Sequence, residues 1–232
     1  MENFAETIIA YNRSLHFEGV LPDGIKLLNP YQEGTKMDEL SALFYRKYYA
    51  DSRRRHLILG INPGRFGGGM TGIPFTDTKR LIQACGISHD LKAVYEPSSA
   101  FIYDMIEAYG GPRDFYADFY FNSVCPLGFI SVDEKERETN YNYYDSKALQ
   151  KTVSEFIVEN IRTLLTFPIS TEICFCLGTG QNAAFLSKLN ADYHFFQRIV
   201  PLDHPRYVMQ YKTKQKAEYI EKYLKAFNTR EY

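Results

Sequence analysis

The chain has 232 residues, of which 45% are hydrophobic, and this is enough apolar material for one hydrophobic core. We therefore expect a single domain over residues 1–232. Its 27 basic and 28 acidic residues give a formal net charge of −1, which excludes a protein that binds nucleic acid through its overall charge. The N-terminal segment lacks a signal-peptide pattern, and no apolar run approaches the ~20 residues of a membrane helix. We therefore expect a cytoplasmic protein without membrane contacts.

The spacing of apolar residues predicts helices and strands that alternate along the chain. Apolar positions three and four residues apart predict helices at Glu2–Ser14, Met37–Asp51, Thr78–Cys85, Ser99–Tyr109, Asp145–Thr166, Gly180–Leu189 and Lys212–Phe227. Short apolar runs predict buried strands at His56–Ile61, Asp118–Ser123, Glu172–Leu177 and Phe195–Pro201. The stretch Val20–Gly34, rich in Gly, Pro and Asn, is expected to be an irregular connection.

This alternation predicts an α/β fold, a three-layer α/β/α sandwich with a central, mainly parallel sheet of four strands. Each predicted strand is followed by polar or Gly-rich residues, namely Asn62-Pro-Gly, Asn122, Gly178-Thr-Gly and Asp203-His-Pro. Ligands of open parallel sheets bind beyond the carboxyl ends of the strands. These four segments therefore predict one site at that edge.

The first of these segments, Gly60-Ile-Asn62-Pro-Gly64, continues through further glycines to Pro74-Phe75. A flexible turn or a phosphate loop are alternatives, but the Lys-Ser/Thr ending of a P-loop is missing. The segment resembles the first motif of the single-strand-selective monofunctional uracil-DNA glycosylases, a family of the uracil-DNA glycosylase superfamily. The resemblance implies that Asn62 positions the attacking water and that Phe75, thirteen residues later, stacks on the extruded base. Gly64, where other branches carry an aromatic that rejects thymine, would leave room for 5-substituted uracils.

Two later segments extend the resemblance. Asn122, shortly before Cys125-Pro-Leu, maps onto the family asparagine that makes a two-point contact with the uracil edge. His204-Pro resembles the family motif whose histidine hydrogen-bonds uracil O2 and stabilises the departing base. Tyr207 replaces the second proline expected there, so the segment that wedges into the duplex must be built differently. Arg206, Tyr207 and Met209 are candidates for filling the gap left by the flipped base.

The turn Gly178-Thr-Gly180 opens a predicted helix and is an incomplete dinucleotide fingerprint, because the third glycine falls at Ala183. We expect a contact with a DNA phosphate at this helix N-terminus. Asp77 and Asp203 are possible auxiliary carboxylates, although exposed loop acids are the simpler interpretation. The Asn- and Tyr-rich stretch Gly128–Tyr144 carries no family signal and is expected to be a loop, either beside the DNA or simply exposed.

The resemblance implies a monofunctional DNA glycosylase that hydrolyses the N-glycosidic bond of uracil and related deaminated or 5-substituted bases. The four cysteines and five histidines show no metal-ligand spacing, so we expect neither a metal nor a cofactor. No lysine stands where an amine nucleophile is expected, so strand cleavage is not predicted. The expected partner is single- or double-stranded DNA, bound by a monomer. The alternative is a non-catalytic nucleotide- or DNA-binding module on the same fold.

Overall fold

The computed structural model describes residues 3–229, which form two sheets with helices around them. The strands are β1 (Ile25–Leu28), β2 (Arg55–Gly60), β3 (Phe119–Ser123), β4 (Gly128–Val132), β5 (Glu138–Tyr141), β6 (Ile169–Leu177) and β7 (Arg198–Leu202). The α-helices are α1 (Phe4–Ser14), α2 (Lys36–Tyr48), α3 (Gly68–Thr71), α4 (Thr78–Gln83), α5 (Pro97–Tyr109), α6 (Pro112–Asp118), α7 (Lys147–Leu164), α8 (Gln181–Tyr193), α9 (Pro205–Tyr211) and α10 (Lys216–Asn228). None of these helices combines the length and apolarity that a membrane crossing requires.

The central sheet has the strand order β3-β2-β6-β7, and every neighbouring pair is parallel. The stretches Leu57–Leu59 of β2 and Cys174–Leu177 of β6 are completely buried. Continuous apolar runs of this kind are typical of parallel strands that are covered on both faces. The prediction of a mainly parallel four-stranded sheet is confirmed.

Helices cover both faces of this sheet. On one face, the ring of Tyr120 contacts Phe4 of α1, and the Tyr11 hydroxyl of α1 donates to Asn160 of α7. On the other face, the ring of Phe119 lies 4.6 Å from that of Phe227 in α10. These contacts define the predicted three layers. The first predicted helix began at Glu2, which lies outside the described residues; α1 begins at Phe4.

A second, antiparallel sheet has the order β1-β4-β5 and corrects two predictions. Val20–Gly34 was expected to be irregular and contains β1, while Gly128–Tyr144 was expected to be a loop and contains β4 and β5. This sheet packs close to the end of β2, because a Cβ on Gly128 would lie 2.4 Å from the Pro63 carbonyl oxygen. Only glycine permits that approach. The stretch Gly128–Tyr144, which carries no family signal in its sequence, therefore packs against the segment of the first motif.

Candidate active site

The carboxyl ends of the central strands are tied together by backbone hydrogen bonds. The amides of Val124 and Cys125 donate to the carbonyls of Gly60 and Ile61, which joins the ends of β3 and β2. The Gly178 amide donates to the Leu202 carbonyl at 2.7 Å, which joins the ends of β6 and β7. The four polar segments therefore share one edge of the sheet, as expected for a site in an open parallel sheet.

Phe75 lies at the centre of this edge. Its ring is 5.3 Å from the ring of Phe121 and 5.9 Å from that of His204. It also covers Gly60, where an added Cβ would lie 2.8 Å from the Phe75 ring. The backbone of Phe75 has φ +55°, an unfavourable conformation for a bulky residue that the surrounding turn must hold. The structure thus brings Phe75 and His204 together from positions far apart in the chain.

His204 forms the N-cap of α9 and has a defined tautomer. Its Nδ1 accepts a hydrogen bond of 3.1 Å from the Arg206 amide, so the proton of the neutral ring is on Nε2. Burial, followed by the charge of Arg206, lowers the pKa of His204 to about 4. The ring is therefore a neutral donor through Nε2 at physiological pH.

Asn62 lies two residues beyond β2, and its side-chain amide is held by the last residue of β5 and by the segment that follows β5. Its Nδ2 donates to the carbonyl of Tyr141 at 3.2 Å, and its Oδ1 accepts from the Tyr143 amide at 3.0 Å. These backbone partners fix the orientation of the side-chain amide, because a flipped amide would set oxygen against carbonyl oxygen. Nδ2 also makes a longer contact of 3.4 Å with the carbonyl of Pro63, so the second lone pair of Oδ1 is the group that remains for a ligand or a water.

Tyr143 extends this arrangement into the core. Its hydroxyl donates to Oδ1 of Asn182 at 2.8 Å, and Nδ2 of Asn182 donates to the carbonyls of Leu177 and Gly60. Both Tyr143 and Asn182 are buried. A chain of hydrogen bonds thus connects Asn62 with the ends of β6 and β2. Neither residue was singled out from the sequence, where no motif distinguishes a buried Tyr-Asn pair.

Asn122 lies on the other face of the sheet. Its Nδ2 donates to the Tyr120 hydroxyl at 3.0 Å, and Tyr120 packs against α1. Phe75 packs against Phe121, whose side chain alternates with that of Asn122 along β3. The structure therefore does not group Asn122 with Phe75 and His204. The next residue, Ser123, pairs with Gly60 across the sheet and shares the face that Phe75 covers.

Gly64 is half-buried in the tight turn that follows Asn62. Its carbonyl accepts hydrogen bonds from the amides of Gly67 and Gly69 at 3.3 and 2.9 Å. A Cβ on Gly64 would lie 3.4 Å from the side-chain amide of Asn140 in β5. A Cβ there would be in ordinary contact with Asn140, whereas a bulky side chain would have to pass β5. The expected tolerance of 5-substituted bases stays a prediction.

The residues predicted to contact DNA are at the surface of the same edge. Gly180 is exposed and precedes α8 without a side-chain cap, and Gly178 has φ +117°, a conformation that favours glycine. Arg206 and Tyr207 are exposed on α9, next to His204. Met209 instead packs against the core, which leaves Arg206 and Tyr207 as the outward-facing wedge candidates.

The two acids considered as auxiliary carboxylates are occupied within the fold. Asp77 is completely buried rather than exposed: it caps α4 and accepts hydrogen bonds from the Arg80 guanidinium and the Glu96 amide. Asp203 forms an ion pair of 2.6 Å with Lys222 of α10. Within residues 3–229, no cluster of His, Cys, Asp and Glu could hold a metal ion.

Comparison with known proteins identifies the family. The model of the uracil DNA glycosylase superfamily matches residues 46–228. The crystal structure of wild-type SMUG2 from Pedobacter heparinus superposes with a TM-score of 0.96 at 56% identity, covering 99% of this chain and 98% of that one. A comparison with curated proteins finds no match. The match over most of the chain and the shared structure show that this chain belongs to the uracil DNA glycosylase superfamily.

Proposed function

We propose that this DNA glycosylase hydrolyses the N-glycosidic bond of uracil and of related deaminated or 5-substituted bases in DNA, using Asn62, Phe75 and His204. The observation that carries the proposal is the contact between Phe75 and His204, whose ring centres are 5.9 Å apart. An aromatic surface beside a neutral hydrogen-bond donor suits a planar base that acquires negative charge.

The reaction begins with the extrusion of the nucleotide, because a base within the stack cannot reach the site. Extrusion costs a few kcal/mol, and stacking on Phe75 returns about 1–3 kcal/mol. As the bond to the sugar breaks, electrons collect on the base. The Nε2–H group of His204 donates to the developing anion, a contribution of roughly 3–4 kcal/mol for a preorganised donor.

Asn62 positions the water rather than acting as a base, since an amide has no useful pKa. With its amide fixed by Tyr141 and Tyr143, the remaining lone pair of Oδ1 can hold one water in line with the sugar. A water held in this way attacks the electron-poor sugar and completes the hydrolysis.

Ser123 replaces Asn122 in the proposal as the contact for the base edge. It shares the face of β3 with Phe121, against which Phe75 packs, and it pairs with Gly60 of β2. A hydroxyl both donates and accepts hydrogen bonds, so it can adapt to bases with different edges. This adaptability supports a substrate range that extends beyond uracil.

The proposal is tested by measuring base release from single- and double-stranded oligonucleotides that contain uracil, 5-hydroxymethyluracil, xanthine or hypoxanthine. The wild-type protein is expected to release at least one of these bases. Asn62→Ala and His204→Ala are each expected to reduce the single-turnover rate at least a hundredfold while the protein stays folded. His16→Ala is the matched control, because the His16 side chain is 76% exposed and its ring nitrogens lie against Ser14 and Glu18 rather than against a residue of the proposed site.

Full activity of both variants would contradict the assigned roles. Absence of release from all four substrates, with DNA binding retained, would support the non-catalytic binding module instead.

A further inference from the structure

The exposed aromatic side chains of this protein are unevenly distributed. In the described part of the chain they are Phe66, Tyr95, Tyr193, Tyr207 and Tyr211, and all except Tyr193 lie near the carboxyl edge of the central sheet. Tyr207 and Tyr211 belong to α9, beside His204. Phe66 and Tyr95, here called the rim aromatic pair, belong to two different loops, and the proposed reaction uses neither side chain.

Phe66 projects from the turn that follows Asn62, and 48% of its surface is exposed. The guanidinium of Arg65 lies over one face of its ring, 4.6 Å from the ring centre. Arg65 is itself held by an ion pair of 3.2 Å with Glu138 and by a hydrogen bond from its amide to Asn140. The ring is thus supported from one side, while its exposed side remains open.

Tyr95, in a different loop, also has an arginine guanidinium over its ring. It is 55% exposed, and the guanidinium of Arg80 lies 4.9 Å from its ring centre. Arg80 is anchored by the buried carboxylate of Asp77 at 3.1 Å. The attraction between a guanidinium and one face of the ring holds the orientation of the ring, and the other face is left for stacking.

Both loops are connected to the turn that carries Phe75. A Cβ on Gly67 would lie 3.4 Å from the Glu96 carboxylate, and one on Gly68 would lie 3.6 Å from Cα of Pro74. The Glu96 amide donates to Asp77, two residues beyond Phe75. Phe66 and Tyr95 therefore flank the same turn that presents Phe75.

The charges around the rim aromatic pair favour the stacking of bases over the binding of phosphates. Arg65 and Arg80 are neutralised by Glu138 and Asp77, and the Glu96 carboxylate lies nearby as the cap of α5. An anionic phosphate gains little there, whereas the π-face of any base can stack on a ring.

We propose that Phe66 and Tyr95 stack on unpaired bases next to the extruded nucleotide, forming a binding subsite for the flanking strand. The inference rests on the proposed function, because it takes as the ligand a DNA strand whose target nucleotide, with or without its base, lies at the site of Phe75. Stacking of this kind is tolerant of sequence and requires bases that are free of their partner strand.

The test measures the Kd of a fluorescent single-stranded oligonucleotide with a tetrahydrofuran abasic analogue at its centre. Phe66→Ala and Tyr95→Ala are each expected to raise the Kd about five- to hundredfold. A second oligonucleotide also carries tetrahydrofuran units in place of the neighbouring nucleotides, which keeps every phosphate but removes the flanking bases. On this second ligand, the wild-type protein and the variants are expected to bind with similar Kd.

Tyr193→Ala is the matched control. Tyr193 is 44% exposed and has the Arg162 guanidinium 5.1 Å from its ring centre, but it ends α8 at the opposite edge of the sheet. Its Kd is expected to equal that of the wild type. The inference would be overturned if Phe66→Ala raised the Kd equally on both ligands. It would also be overturned if Phe66→Ala and Tyr95→Ala both bound the first ligand with the Kd of the wild type. Base release by the wild-type protein is measured separately, so failure of the proposed function is recognised independently.

Discussion

His204 illustrates how a single side chain is prepared for its role by its backbone context. As the N-cap of α9 it accepts a hydrogen bond from the Arg206 amide at Nδ1, which leaves the proton of the neutral ring on Nε2. Burial, and after it the charge of Arg206, lowers the pKa of His204 from the usual 6.5 to about 4. The residue is held as a neutral donor over the whole physiological range.

We predict that the single-turnover rate of base release is independent of pH between about 5.5 and 8. Because the pKa of His204 is lowered, the active neutral form persists as the pH falls through 6.5 and is lost only near pH 4. Asn62 does not titrate and adds no transition. The measurement is a pH–rate profile under single-turnover conditions with the fold monitored by circular dichroism. A decline centred near pH 6.5 would show that His204 protonates normally and would contradict the assignment.

Gly60→Ala is predicted to impair catalysis more than folding. The added Cβ meets the far end of the Phe75 ring at 2.8 Å, so the ring rather than the backbone has to move. Loss of the stacking surface is expected to lower kcat/KM by about 1–3 kcal/mol in transition-state binding. Gly19→Ala is the control, because its Cβ would meet the ring of Phe17, which packs against Phe156 of α7 rather than against Phe75. Unchanged kcat/KM in Gly60→Ala would contradict the role of Phe75.

Among the elements, β5 and the segment after it have the largest consequence for the site. This segment supplies both backbone groups that hold the amide of Asn62, and Tyr143 joins it to α8 through Asn182. A short and mostly exposed strand thus serves as the support of a candidate catalytic residue.

We predict that Tyr143→Phe lowers the single-turnover rate with little change in KM. The substitution removes the hydroxyl that donates to Asn182 and leaves that buried oxygen without its donor, at a cost of about 1–3 kcal/mol in unfolding free energy. The segment that holds Asn62 then loses an anchor, and the water is positioned less well. Urea unfolding and single-turnover kinetics measure the two effects. Tyr144→Phe is the control; an equal rate loss there, or a change confined to stability, would contradict the positioning role.

The central sheet was predictable because its strands are continuous apolar runs, such as Leu57–Leu59 and Cys174–Leu177. The second sheet was not, since β5 reads Glu-Thr-Asn-Tyr and is nearly all exposed. β5 is a strand because it pairs with β4, and a local sequence pattern does not reveal this pairing. Short polar strands carry no periodicity that distinguishes them from a loop.

The same physical limit explains the assignment of Asn122. Along a strand, neighbouring side chains point to opposite faces, so a shift of one residue reverses the side that faces a ligand. The sequence singled out the end of β3, and the structure places Ser123 rather than Asn122 on the face of Phe75, while a contact with the base stays a prediction. By contrast, the alternation of side chains between two faces does not apply beyond the ends of the strands, where Asn62, Phe75 and His204 lie.

Across the protein as a whole, the net charge of −1 means that DNA affinity depends on a few local contacts. Several cations at the sheet edge are already paired, including Arg65 with Glu138 and Arg80 with Asp77. Arg206 is exposed and, within residues 3–229, forms no ion pair with an acidic side chain. It is therefore a cation at this edge that is available for a phosphate.

We predict that Arg206→Gln weakens DNA binding and also reduces its dependence on salt. Each phosphate neutralised by a cation releases counterions and contributes about 0.7 to the slope of log K against log salt for single strands. Losing the Arg206 contact should reduce the magnitude of the slope by about that amount, as measured by fluorescence anisotropy across a salt series. Arg113→Gln removes the same charge from α6, at the opposite edge of the sheet, and should leave the slope unchanged. Equal slopes for the wild type and Arg206→Gln would mean that Arg206 contacts no phosphate, whatever its effect on Kd.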